Sequence, residues 1–304
     1  GSNKNFVDLY LLRAYDCVNS IDETWRGTLA PQENIVVGVK GQTTPFKWLS
    51  LTANAATSAF NTDTRAEKVP VNTSFDKVFD VKYSSLMRFA GDVNANIILP
   101  GVNANISYKI VQPDYTSLGT YYMSNNYHSL GITLSTTLFN RLSLTGTFSG
   151  QEDNLSNEQL YTTCGYVYAA NAAMRIGDNF NVTASYNGYI QAQRDGTMAV
   201  NDTTEVNRQM HSFSLSPTYL YETETLGHNV NLSLNYTENK DMNMFATGEG
   251  DVKTKALGLS YNIDVKPIET DFTPSYSHQE SEGFNSRYIS DIASLGTRRS
   301  FLKE

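Results

Sequence analysis

The sequence predicts an all-β fold: an up-and-down antiparallel transmembrane β-barrel of about 14 strands, or a portion of a larger barrel, forming a single domain over residues 1–304. Three observations predict it. Apolar and small polar residues alternate with period two along most of the chain, tight turns return at one end of the sheet, and most predicted strands are long enough to cross a bilayer.

The alternation is plainest in residues 127–151. Leu130, Ile132, Leu134 and Leu138 alternate with Ser129, Gly131, Thr133, Ser135 and Thr137 going in; Leu142, Leu144 and Phe148 alternate with Ser143, Thr145, Thr147 and Ser149 coming out. Period two means strand, and a tight connection at Phe139-Asn140 pairs the two runs antiparallel. One face is then apolar and the other carries small polar groups.

Taken in order, residues 6–16 form a first strand and residues 20–32 a polar loop. Residues 33–42 run back to a turn around Pro45-Phe46, and 47–60 run out with Leu49, Leu51, Ala53 and Ala55 opposed to Trp48, Ser50, Thr52 and Asn54. A hydrophilic insertion covers 61–84. Strands at 85–99 and 102–112 flank Pro100-Gly101, where Pro presets φ and Gly accepts a positive φ. After a loop at 113–126 and the hairpin, strands follow at 161–175, 180–193, 209–222, 228–240, 251–264, 270–281 and 285–301.

The turn segments PFKWLSLTAN, LFNRLSLTGT, IGDNFNVTAS and LGHNVNLSLN share an apolar residue, a polar turn and a return to alternation. All four lie at one end; connections of about ten to twenty-five residues, rich in Asp, Asn, Glu, Gly and Ser, lie at the other. A soluble sandwich mixes loop lengths at its two ends and uses shorter strands. About 9–11 residues take a tilted strand across a bilayer, with short turns on the periplasmic side. Leu232, Leu234, Leu257 and Leu259 then join the hairpin leucines facing lipid, and Phe46, Trp48, Phe139, Phe180, Tyr221, Phe272 and Phe301 read as interfacial aromatics. The even strand number, with both termini on the short-turn side, suits a closed barrel; Leu302-Lys303-Glu304 after Phe301 suits a strand continuing into a longer one.

Residues 115–155, with SLGTYYMSNN followed by LFNRLSLTGTFSGQEDNL, resemble the β-barrel portion of uncharacterised outer-membrane proteins of Bacteroidota, and hairpins along most of the chain fit that class. The resemblance implies a Gram-negative outer-membrane location. It carries no biochemical activity onto particular residues.

Composition excludes some functions. A net charge of −8 with no basic stripe argues against nucleic acid. No run approaches the roughly 18 apolar residues of a membrane helix, which excludes helical spans alone. Gly1-Ser2 has the look of a tag remnant, so the natural N-terminus is expected upstream. Cys17 and Cys164 lack metal-ligand spacing; they read as unpaired, with a disulfide open to them because the topology brings both to one rim.

No nucleophile, zinc or phosphate-loop motif is present. His128, His211, His228 and His278 are scattered, three of them toward the loop end, and read as solvated or interfacial rather than as a metal site. Asp195, Asp202 and Glu205 in one loop, and Asp241, Glu249 and Asp251 in another, could attract Ca²⁺ but read more plainly as solvated loop tips. The informative charges are those on strands. Lys40, Arg88, Asp92, Lys109 and Arg175 would each cost roughly 2–4 kcal/mol facing mid-bilayer lipid, so those deep in the membrane should point into the lumen.

The expected function is a non-enzymatic outer-membrane barrel in transport or secretion, as a channel or as the membrane part of a larger complex. Its partners would be outer-membrane lipid and proteins of such a complex, with no cofactor. The alternatives are a docking barrel whose long loops bind a surface partner and a soluble glycan-binding or adhesive module.

Overall fold

The computed structural model describes residues 5–17, 20, 22–70, 79–201, 203 and 205–299. The N-terminal dipeptide, residues 71–78 of the long insertion, Asp202, and the chain end from Phe301 lie outside the described residues.

Fourteen strands form one sheet in strict sequence order, every neighbouring pair antiparallel. They are β1 (Phe6–Tyr15), β2 (Glu33–Phe46), β3 (Leu49–Asn61), β4 (Ser85–Leu99), β5 (Val102–Val111), β6 (Tyr127–Leu138) and β7 (Leu142–Asp153). Then come β8 (Tyr161–Ile176), β9 (Phe180–Asp195), β10 (Asn207–Glu222), β11 (Leu226–Asp241), β12 (Val252–Val265), β13 (Thr270–Gly283) and β14 (Ser286–Arg299). This is the up-and-down order of a β-barrel wall. Among the described residues no ladder joins β1 to β14.

The tight turns do stand together at one end. Phe139 and Asn140 both take positive φ, at 55° and 54°, which matches the twist of a two-residue hairpin, and Gly101 sits at φ 80° behind Pro100. The other end departs from expectation in its last connection: only Phe284 and Asn285 link β13 to β14, with Asn285 at φ 53°. β2 also runs on through Pro45 to Phe46, with an irregular register between Thr43 and Phe46, so the turn is Lys47-Trp48. Pro45 has no N–H for a regular ladder, and the irregularity accommodates it. Inside the loop after β1, Glu23–Arg26 form one helical turn, α1, capped where Thr24 N donates to Asp22 Oδ1.

Two faces result. Leu9, Leu134, Leu259 and Leu295 stand on the outer one at 82, 51, 44 and 69% exposure, far above what a water-soluble wall tolerates as a continuous band. Ser, Thr and Asn occupy the alternate positions and bond laterally: Asn231 Nδ2 donates to Thr218 Oγ1 at 2.8 Å, and the Ser275 and Ser294 hydroxyls lie 2.7 Å apart.

The few fully buried side chains gather at the loop-end tips of β2 and β3. Val36, Ala56, Val111 and Tyr115 form one cluster on the polar face. Ile35, Ala59 and Phe79 form another on the opposite face.

Candidate functional site: the polar face and its in-folded loop

Cross-strand pairing places one continuous row of residues across eleven strands of the polar face. Asp8 faces Lys40, Lys40 faces Asn54, Asn54 faces Asp92, and Asp92 faces Lys109. The row continues through Ser129, Gln151, Gly165, Gln191 and Arg208 to Asp241. Directly opposed residues share a face, so each member projects to the same side. Lys40, Asp92 and Lys109 therefore stand together in one belt.

The belt is wired. Tyr10 OH donates to Asn54 Oδ1 at 2.8 Å and Asn54 Nδ2 donates to Asp92 Oδ1 at 3.1 Å. The Lys109 ammonium lies 5.5 Å from the centre of the Tyr127 ring, within cation–π range. Two acids and two bases alternate from β1 to β5, so the belt has no net charge.

Arg88 and Arg175 share the polar face but not the belt. Arg175 stands at the tight-turn rim, where its guanidinium pairs with Asp178 at 3.4 Å. Arg88 holds a loop: its Nε donates to Pro113 O at 2.9 Å, and its guanidinium approaches Asp114 at 3.6 Å.

That loop, residues 112–126, folds over the polar face instead of standing in solvent. Asn34, fully buried, donates from Nδ2 to Ser58 Oγ (2.8 Å), Ala59 O (3.1 Å) and Thr116 O (3.4 Å), while its Oδ1 accepts from Leu118 N at 3.1 Å. Ser58 Oγ also donates to Thr116 O, at 2.6 Å. Tyr115 packs against Val36, Ala56 and Val111, with Leu12, Met123 and Tyr127 around the cluster, and burial pushes its phenol above the usual range. The loop thus reaches from β5 across to β1, β2 and β3, narrowing the space over that wall. Sequence reading took 113–126 as an ordinary connection. The signal was Asn-Ile-Val-Val at 34–37, a near-continuous apolar run at a strand end, which fits burial on both faces.

The insertion at 62–84 does the opposite and covers the outer face. Phe79, with Val81 beside it, packs on Ile35 and Ala59. Asn61 Nδ2 donates to Asp80 O at 3.1 Å. Lys68 pairs with Asp80 at 2.7 Å and holds its carboxyl below the ordinary value, and Arg65 hydrogen-bonds Asp63 and lowers it to about 2.

Other sequence candidates separate. Among the described residues no three His, Cys, Asp or Glu side chains gather as a metal site. The acidic loop residues cap turns instead: Asp195 Oδ1 accepts from Val200 N, Asp241 Oδ1 from Asn243 N, and Asp251 Oδ1 from Asp241 N. Cys17 is exposed and Cys164 buried, both free. All four histidines lie on the outer face, away from the belt. His211 sits 2.9 Å from Tyr186 OH, His228 2.7 Å from Tyr261 OH and His278 2.8 Å from Asp291. Tyr221, His228 and Tyr261 stack near the tight-turn end, and Phe46 stacks on Trp48 at 5.2 Å, so three of the expected aromatics, Phe46, Trp48 and Tyr221, stand in stacks at that end.

No protein-family model matches the chain, and no curated protein matches it. Among solved structures it is similar to OmpT, an outer membrane protein of Vibrio cholerae, at 11% identity and TM-score 0.38, over 97% of both chains. It is similar to a bacterial polysaccharide outer membrane secretin at 8% identity and TM-score 0.35, over 98% of this chain and 99% of that one. It is also similar to OccAB3 of Acinetobacter baumannii at 12% identity and TM-score 0.28, over 96% of this chain and 86% of that one.

Proposed function

We propose that the chain is the wall of an outer-membrane β-barrel that conducts solutes, with the belt and the in-folded loop forming its constriction. The observation that supports this most is the outer band. On β11, His228, Val230, Leu232, Leu234 and Tyr236 face outward before Glu238 and Lys240 begin. That run is about 26 Å along the strand at 3.3 Å per residue and about 20 Å in height at a 40° tilt, close to the roughly 25 Å apolar band of such barrels. Above it, Glu238 bridges Lys253 and Lys240 at 3.4 and 3.3 Å, a charged collar suited to the headgroup level.

The polar face then meets water, and Lys40, Asp92 and Lys109 line the passage while Arg88 positions the loop within it. Arg175 lies at the exit on the tight-turn side. Its role is to fix that turn rather than to select solutes. Its charged side chains face opposite charges, amides or an aromatic ring, an arrangement suited to passage.

Reconstitution into planar bilayers tests this reading. Folded protein should give discrete conductance steps, and fractionation of Gram-negative cells expressing it should recover it with the outer membrane. Folded protein that leaves bilayers silent would remove the channel reading.

A further inference from the structure

Over nine successive strands, β6 to β14, the polar face carries no Asp, Glu, Lys, Arg or His except within two residues of a strand end. Arg175, Glu222, Asp264, Asp271 and Arg298 stand at the tight-turn end, and Asp153, Asp195, Arg208 and Asp241 at the loop end. Between those rims are mostly hydroxyls, amides and small residues, with a few uncharged larger side chains such as Tyr189, Met210 and Ile292. By the same measure, the described residues of β1 to β5 hold Lys40, Arg88 and Asp92 away from strand ends; Lys40 and Asp92 lie in the row where Asp8, Lys40, Asp92 and Lys109 alternate and cancel, and Arg88 is paired with Asp114.

From this distribution we propose that the passage admits neutral polyhydroxylated solutes, saccharides by chemical class, in preference to ions of either sign; the inference rests on the channel reading above. An ion entering a passage narrowed by the 112–126 loop sheds part of its hydration and meets, along most of the wall, dipoles without net charge. A concentrated field of either sign is what would offset that loss, and between the rims of β6 to β14 the described wall carries none. A sugar exchanges water for wall hydrogen bonds almost evenly. The wall is suited to that exchange. Ser185 and Ser214 lie 3.1 Å apart and Ser212 and Thr237 3.2 Å apart, so each hydroxyl is oriented by a neighbour yet keeps further bonding capacity.

Both mouths set amides beside charged side chains. At the loop end a cleft of about 420 Å³ is lined by Tyr189, Gln191, Met210 and Asn239 together with the charged Arg208, Lys240 and Asp241. An aromatic face beside amides matches a sugar ring, which offers an apolar C–H face and hydroxyls around its edge. At the tight-turn end, Asn179, Asn229 and Asn262 line a cleft together with Asp178, Glu222 and Asp264, so this rim is acidic.

Swelling of liposomes holding the folded full chain tests the inference, with isotonic glucose, gluconate and lysine as size-matched probes. Glucose should enter about five-fold faster than either charged solute. Introducing charge on the neutral wall with Asn187→Asp and Asn235→Asp should lower the glucose-to-lysine ratio while glucose still enters. Gluconate or lysine entering within about two-fold of glucose overturns the inference and leaves the channel reading standing. No entry of any probe, from liposomes whose protein is shown to be folded, overturns both.

Discussion

Asn34→Ala should free the in-folded loop without dismantling the wall. The side chain is fully buried and makes four hydrogen bonds, two of which hold the loop: Nδ2 to Thr116 O at 3.4 Å and Leu118 N to Oδ1 at 3.1 Å. Thr116 O keeps its bond from Ser58, so the loss there is partial. Leu118 N–H is left buried without an acceptor, a penalty of about 1–3 kcal/mol, and the weaker bond adds about 1 kcal/mol. The docked state should therefore lose about 2–4 kcal/mol, which is roughly a 30- to 700-fold shift toward the undocked loop. Hydrogen exchange at Leu118 should accelerate by that factor, and the open-channel conductance should rise or flicker, because a docked and an undocked loop block the passage differently. The β2–β3 ladder does not use this side chain, so exchange at Val36 and Thr57 should hold. Unchanged exchange at Leu118 in a folded variant would refute the assignment of Asn34 as the loop's anchor, and unchanged conductance with accelerated exchange would refute the loop as the constriction.

Four further outcomes follow from the same geometry. A Cβ on Gly188 would lie 2.2 Å from the Tyr168 ring, so Gly188→Ala should cost about 1–3 kcal/mol in urea unfolding, and Tyr168→Ala should relieve most of that cost. Asp92→Asn leaves Lys40 and Lys109 against Asp8 alone, so the reversal potential in a salt gradient should move toward anion preference. Phe79→Ala empties a site only 2% exposed and should release the 62–84 insertion from the outer face at a cost of about 3–5 kcal/mol, read as new protease cleavage there. Asp63, held to about 2 by Arg65, should titrate by carboxyl NMR well below an ordinary aspartate. Because its folded value is depressed, the local Asp63–Arg65 pairing is complete above the unfolded value of about 3.9 and fades as pH falls through about 2, and Arg65→Ala should move the midpoint back up.

The strands were readable because period two repeats wherever one face meets an apolar phase and the other a polar one. Residues 130–138, Thr136 apart, and 228–236 show it, and Gly101 and Asn140 are residues that suit the positive φ they take, whereas Phe139 takes φ 55° against the usual preference of a bulky side chain. The strand charges were readable too, since Lys40, Asp92 and Lys109 each sit at polar positions. That they share one row was not, because register depends on turn geometry: the irregularity at Thr43–Phe46 shifts every β2 partner. The loop contacts were hidden for another reason. Asn34 to Leu118 and Ile35 to Phe79 are long-range contacts made by side chains whose local sequence is unremarkable for a strand, and only the loss of alternation at 34–37 hinted at cover on both sides.

Those two loops also locate the membrane. Consecutive residues at one height on β2 and β3 are covered by protein on opposite faces: Asn34 and Ser58 by the loop inside, Ile35 and Ala59 by the insertion outside. Lipid cannot reach Ala59, so the bilayer's outer boundary must fall below it. Ala59 stands ten residues above Leu49 at the tight-turn end, about 33 Å along the strand and about 25 Å in height at a 40° tilt. On the distant wall Glu238 begins the charged collar twelve residues above Leu226, a step or two further along a strand of the same tilt. Two unrelated markers, a protein cover on one wall and a change of side-chain charge on another, thus set the same upper limit to the apolar band. The in-folded loop, attached at the height of Asn34, therefore sits toward the loop end of the polar face rather than at its middle. The belt of Asp8, Lys40, Asp92 and Lys109 lies nearer the tight-turn end on β1 to β4, so under the proposed channel function a solute entering from the loop side should meet the loop first and the charges second.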